Sequence, residues 1–94
     1  MTSAAEFTGP SVELLQALIR NECVNDGTPD SGNETRNSDI LVNYLEGTGV
    51  DIQTYTPRSG RDSIIALIAG SAPNAPSPCL IGHTDAVPVN LHGW

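Results

Sequence analysis

His83 and Asp85 stand two residues apart, directly after the apolar pair Leu80 and Ile81 and the small Gly82. On an extended chain, residues i and i+2 face the same side. Imidazole is a common metal ligand, and a carboxylate behind it fixes the ring tautomer and raises its basicity. Gly82 removes a side chain where a metal, a substrate or another backbone would approach. If residues 79–81 form a strand in an α/β layer, the histidine lies at its carboxyl end, beside the crevice where ligands bind. The His-x-Asp spacing is weak evidence by itself, since a chain of this composition carries it by chance about one time in eight. A loop histidine that hydrogen-bonds a turn is the plainer reading of these two residues.

Other residues with chemical potential read as structural. His92 lies in a loop with no partner motif, and Trp94 reads as a packing aromatic rather than the lining of a substrate pocket. Cys23 and Cys79 read as small hydrophobes, one at the end of a helix stripe and one in a short buried strand. Asp26, Asp30 and Glu34 surround a glycine-rich loop without calcium-loop spacing, and read as solvated. Arg58 and Arg61 flank a turn and read as solvated, while Thr84 alternates away from the crevice face and bonds nearby backbone.

The elements that must position these residues follow from spacing. Residues 1–9 read as a mobile leader, with Pro10 at a first helical turn. Val12, Leu15, Ile19 and Cys23, widened by Leu14 and Leu18, predict an amphipathic helix over 10–22. Turn formers fill 24–33, and a second helix over 34–46 carries the stripe Ile40, Leu41, Tyr44 and Leu45. The alternation of Ile52, Thr54 and Thr56 predicts a strand, Gly60 a hairpin turn, and 63–69 a second strand. Three prolines mark 70–78 as a loop, and 79–81 reads as a third, buried strand. The order helix, helix, strand, strand, strand predicts an α/β fold, two helices against about three strands of a mixed sheet.

The chain has 94 residues and a net charge of −7, with 11 acids against four basic residues, all arginine. No basic patch exists to displace counterions from nucleic acid or to bind an anionic membrane. No stretch approaches the ~20 apolar residues of a membrane span. The amino terminus has neither a basic end nor an apolar core for a secretory signal. Two widely separated cysteines make no disulfide framework, which predicts a reducing, cytoplasmic setting. The chain stops a few residues after Pro88 with no element to cover the third strand, so residues 10–94 read as the amino-terminal part of a longer domain, truncated after Trp94.

The segment Cys-Leu-Ile-Gly-His-Thr-Asp-Ala-Val-Pro at 79–88, followed by Trp94, closely resembles a signature of the zinc-dependent exopeptidase and N-acyl-amino-acid amidohydrolase family. That family includes aminoacylases, glutamate carboxypeptidases, succinyl-diaminopimelate desuccinylases and di- and tripeptidases. Similarity extends to the helix containing Val12 and Arg20, to Glu34 opening the second helix, to the helix exit at 45–50, and to Gly60-Arg61-Asp62-Ser63 before the buried strand.

The resemblance implies that His83 is a ligand of one zinc in a two-zinc site, with cobalt or manganese as alternative metals. It implies that Asp85 is the catalytic-site carboxylate that orients His83. It further implies hydrolysis of an amide bond in a small peptide or N-acyl amino acid, and a second domain used for dimerisation or substrate closure, so that the parent could be a homodimer. The family's other ligands and its general base lie downstream of the matched segment. A catalytic zinc normally takes three protein ligands. The 94 residues alone are therefore expected to be inactive, their partner being the remainder of the same polypeptide. The alternative is a non-catalytic binding or regulatory fragment, pairing through an exposed sheet edge.

Overall fold

The computed structural model describes residues 3–89. The order is two helices followed by two strands: α1 at Ala4–Arg20, α2 at Thr35–Leu45, β1 at Asp51–Arg58 and β2 at Arg61–Leu67. The class is a small mixed α/β fold, as the spacing predicts. Among the described residues no helix is long and apolar enough to cross a membrane.

Helix α1 begins six residues earlier than the Pro10 rule predicts, so residues 4–9 belong to it and are not a separate leader. The cause is local. The Ser3 backbone N–H donates to Glu6 Oε2 at 3.1 Å, closing the first turn ahead of two alanines. Pro10 then lies inside the helix, where it has no N–H to donate to the preceding turn. No α1 residue is fully buried. Leu14, Ala17 and Leu18 are half-buried, whereas Val12, Leu15 and Ile19 are exposed.

Helix α2 forms where expected, but its most buried positions are not the apolar stripe. Asn37 and Ser38 are buried, together with Glu34 just before the helix, while Ile40, Leu41 and Leu45 are half-buried and Tyr44 is exposed. Positions 34, 37, 38 and 41 share one helical face.

The hairpin is antiparallel, running from Asp51 opposite Leu67 to Arg58 opposite Arg61. Its ladder is irregular between Tyr55 and Arg58, where Pro57 has no N–H to donate and two residues of β1 oppose one of β2. Gly60 turns the chain with φ +83°, and a Cβ there would lie 2.8 Å from Asn33 Oδ1. The glycine therefore serves both the turn and the close seating of the 21–34 loop.

The third strand does not form. Residues 79–81 are irregular and open, with Leu80 98% and Ile81 91% exposed, and Cys79 is exposed as well. The sheet is two-stranded and antiparallel, not a mixed sheet of three. Pro76 and Pro78 remove backbone donors just ahead of the segment. Three residues offer too few ladder bonds to offset the entropy of fixing them. Cys23 is the one buried hydrophobic side chain among the described residues. The Cα radius of gyration is 16.0 Å, against about 12 Å for a compact domain of this length.

Candidate functional site

The 21–34 loop and the 83–86 segment meet through an isolated parallel bridge between Val24 and Ala86. The Ala86 N–H donates to the Cys23 carbonyl and the Asn25 N–H to the Ala86 carbonyl, each at 2.8 Å. Side chains extend the contact. Asn37 Nδ2 donates to the Thr84 carbonyl at 3.0 Å, and Asn37 Oδ1 accepts from Asn21 Nδ2 at 2.8 Å. The buried amide of Asn37 thus fixes the main chain between the two predicted site residues. At Thr84 it is the main-chain carbonyl that is held, by a side-chain amide, and not the threonine side chain bonding nearby backbone as expected.

His83 and Asp85 do come together. His83 Nδ1 lies 2.9 Å from Asp85 Oδ1 and 3.0 Å from the Asp85 carbonyl. Both neighbours are acceptors, so Nδ1 carries a proton, and in the neutral ring the lone pair is on Nε2. The His83 side chain is 82% exposed, while that of Asp85 is mostly buried. Asp85 Oδ2 accepts from Asn25 Nδ2 at 3.0 Å. The Asn25 hydrogen bond, with the bond to and charge of His83 behind it, holds the Asp85 carboxyl below its ordinary value against the opposing effect of burial.

This segment borders a cleft of about 570 Å³ whose walls include Glu34, Ser38, Arg61 and Asp62 beside His83 and Asp85. Arg61 is not a free solvated arginine: its Nε donates to Glu34 Oε2 at 2.7 Å. Glu34 is likewise not a solvated loop acid, its side chain being 9% exposed. Its Oε1 is buried without a hydrogen-bond partner among the described residues and packs against Gly32, where a Cβ would lie 2.5 Å away. Asp26 is exposed, and bonds from the Thr28 hydroxyl and N–H lower its carboxyl, so it serves its own turn. Arg58 is exposed. His92 and Trp94 lie outside the described residues.

Among the described residues no three His, Cys, Asp or Glu side chains gather to hold a metal ion. The residues fit one ligand position, His83 Nε2 with its carboxylate behind it, and fall short of a complete set. Spacing alone did not single out Asn25, Asn37 or the buried role of Glu34. The signal for the last two was a polar face at 34, 37 and 38 continuing into Leu41. Compared with protein-family models, curated proteins and solved structures, the chain matches none.

Proposed function

We propose that the chain supplies the His83 arm of a metal-dependent hydrolase acting on amide bonds of small peptides or N-acyl amino acids. The observation that carries this reading is the hydrogen bond from His83 Nδ1 to Asp85, which directs Nε2, the lone-pair nitrogen of the neutral ring, outward beside a cleft. Zinc, when bound, polarises the scissile carbonyl and acidifies a water. The chain's own residues do the preparatory work: Asp85 holds the imidazole in one tautomer, and Asn25 and Asn37 hold the segment. The reading requires further ligands and a general base from outside residues 3–89. In the same reading the parent is cytoplasmic, in keeping with Cys23 and Cys79 both being free thiols, and pairs as a homodimer.

A second reading, a non-catalytic binding fragment, is favoured by one observation: Ile68, Leu80 and Ile81 are more than four-fifths exposed. Zinc titration followed by NMR separates the two. The hydrolase reading expects perturbation centred on the His83 ring, weak in affinity and abolished in His83→Ala. Perturbation spread over the exposed acids Asp26, Asp30 and Asp39 would overturn it. Mixing the chain with the carboxyl-terminal part of an aminoacylase lacking its own Gly-His-x-Asp segment is expected to restore zinc-dependent hydrolysis of N-acetyl amino acids, and His83→Ala to abolish it.

A further inference from the structure

From the hydrogen-bond geometry we infer that Asn25 is the positioning residue for the site, setting the tautomer of His83 through Asp85. The inference rests on the reading of His83 as a metal ligand and adds the group that makes its lone pair available.

The side-chain amide of Asn25 has a fixed orientation. Its Oδ1 accepts from the Gly27 N–H at 3.0 Å, and only an acceptor can face that donor. The Ser31 hydroxyl lies 3.4 Å from the same oxygen. A flipped amide would set an N–H against the Gly27 N–H, so Nδ2 must face Asp85, where it donates to Oδ2 at 3.0 Å. The Asn25 backbone N–H meanwhile holds the Ala86 carbonyl at 2.8 Å. One residue therefore grips both the carboxylate and the chain next to it.

The consequence passes through the carboxylate. With Oδ2 taken, Asp85 presents Oδ1 to His83 Nδ1 at 2.9 Å. A carboxylate only accepts, so Nδ1 must donate, and the lone pair is left on Nε2. Without Asn25 the carboxylate can rotate about its last torsion and give either oxygen to water. An imidazole this exposed then keeps only the Asp85 main-chain carbonyl, at 3.0 Å, to hold the less common Nδ1–H form.

Ring 15N NMR of the 94-residue chain tests this directly, at about pH 8.5, where an ordinary imidazole is neutral. Asn25→Asp keeps the acceptor for Gly27 and opposes Asp85 with a second carboxylate. The Nδ1–H form, dominant at His83 in the unaltered chain, is expected to become the minor form in this variant. Combining Asn25→Asp with Asp85→Asn is expected to bring it back, because the amide then at position 85 can donate to position 25 and accept from His83.

Should Asn25→Asp fail to fold, Asn25→Ser puts the same question, keeping a short acceptor for the turn and losing the reach to Asp85. An unchanged tautomer in the folded single variant overturns the inference, as does a double variant that stays shifted. An Nε2–H form in the unaltered chain overturns it too. No arm requires metal or hydrolysis. A responding tautomer with no zinc contact at His83 would thus sink the hydrolase reading alone, and an unresponsive one with zinc at His83 would sink the positioning role alone.

Discussion

The loop and helix start at 21–38 and the stretch at 68–82 invert the usual division of polar and apolar residues. The first buries Glu34, Asn37 and Ser38 beside Cys23, while the second leaves Ile68, Leu80 and Ile81 in the open. The polar region is ordered by partners of fixed geometry, an amide for a carbonyl and a guanidinium for a carboxylate, with Glu34 Oε1 the one buried side-chain oxygen left unpartnered among the described residues. The apolar region has no such partner, and burial without a surface to bury against is no driving force. What organises this chain is hydrogen-bond satisfaction around one loop, and the site lies on the side that is organised.

The comparison breaks most sharply at Arg61. Arg61→Met leaves the Glu34 carboxylate nearly buried with no cation, and urea unfolding is expected to show a loss of about 2–3 kcal/mol, discounted for the partial exposure of the arginine. Adding Glu34→Gln to that variant is expected to recover part of the loss. Asn37→Ala comes next. It strands the Thr84 carbonyl and the Asn21 amide, for a loss of about 2 kcal/mol in the same measurement.

Acid gives a smaller effect with a definite sign. The Asp85 carboxyl is lowered in the folded chain, so its contribution is complete above the ordinary 3.8 and is lost as pH falls through the lower folded value. Unfolding curves taken downward through that window are expected to shift toward lower urea, and Asn25→Ala is expected to reduce the pH dependence. The least effect belongs to the apolar stretch. Leu80→Ser and Ile81→Ser are expected to change stability by less than about 0.5 kcal/mol. A loss several times larger would mean that the stretch is covered, and the contrast between the two regions would fail.

The same contrast explains what spacing could and could not foretell. Helix α2 and the hairpin carry their periods openly: Leu41 and Leu45 recur at helical intervals, and Gly60 marks the turn. The early start of α1 was legible in Ser3 and Glu6, but Pro10 offered a competing signal that the capping pair overrides. Residues 79–81 look like a strand because they are apolar, yet a strand is a relation between two segments, and a tripeptide behind Pro76 and Pro78 says nothing of its partner. His83 and Asp85 were legible because their bond spans two residues of sequence. Asn25 was not, because its bond to Asp85 joins residues 60 positions apart.

That separation sets the order in which the molecule assembles. Closing a loop of this length costs on the order of 4 kcal/mol of chain entropy, and the Val24–Ala86 bridge returns two short backbone bonds against it. The hairpin, closed through Gly60, meets no such barrier. The His83 segment is expected to dock after the hairpin and to open before it. Any group that binds at His83 while the segment is docked would slow that opening, acting as a clasp on the longest loop in the chain.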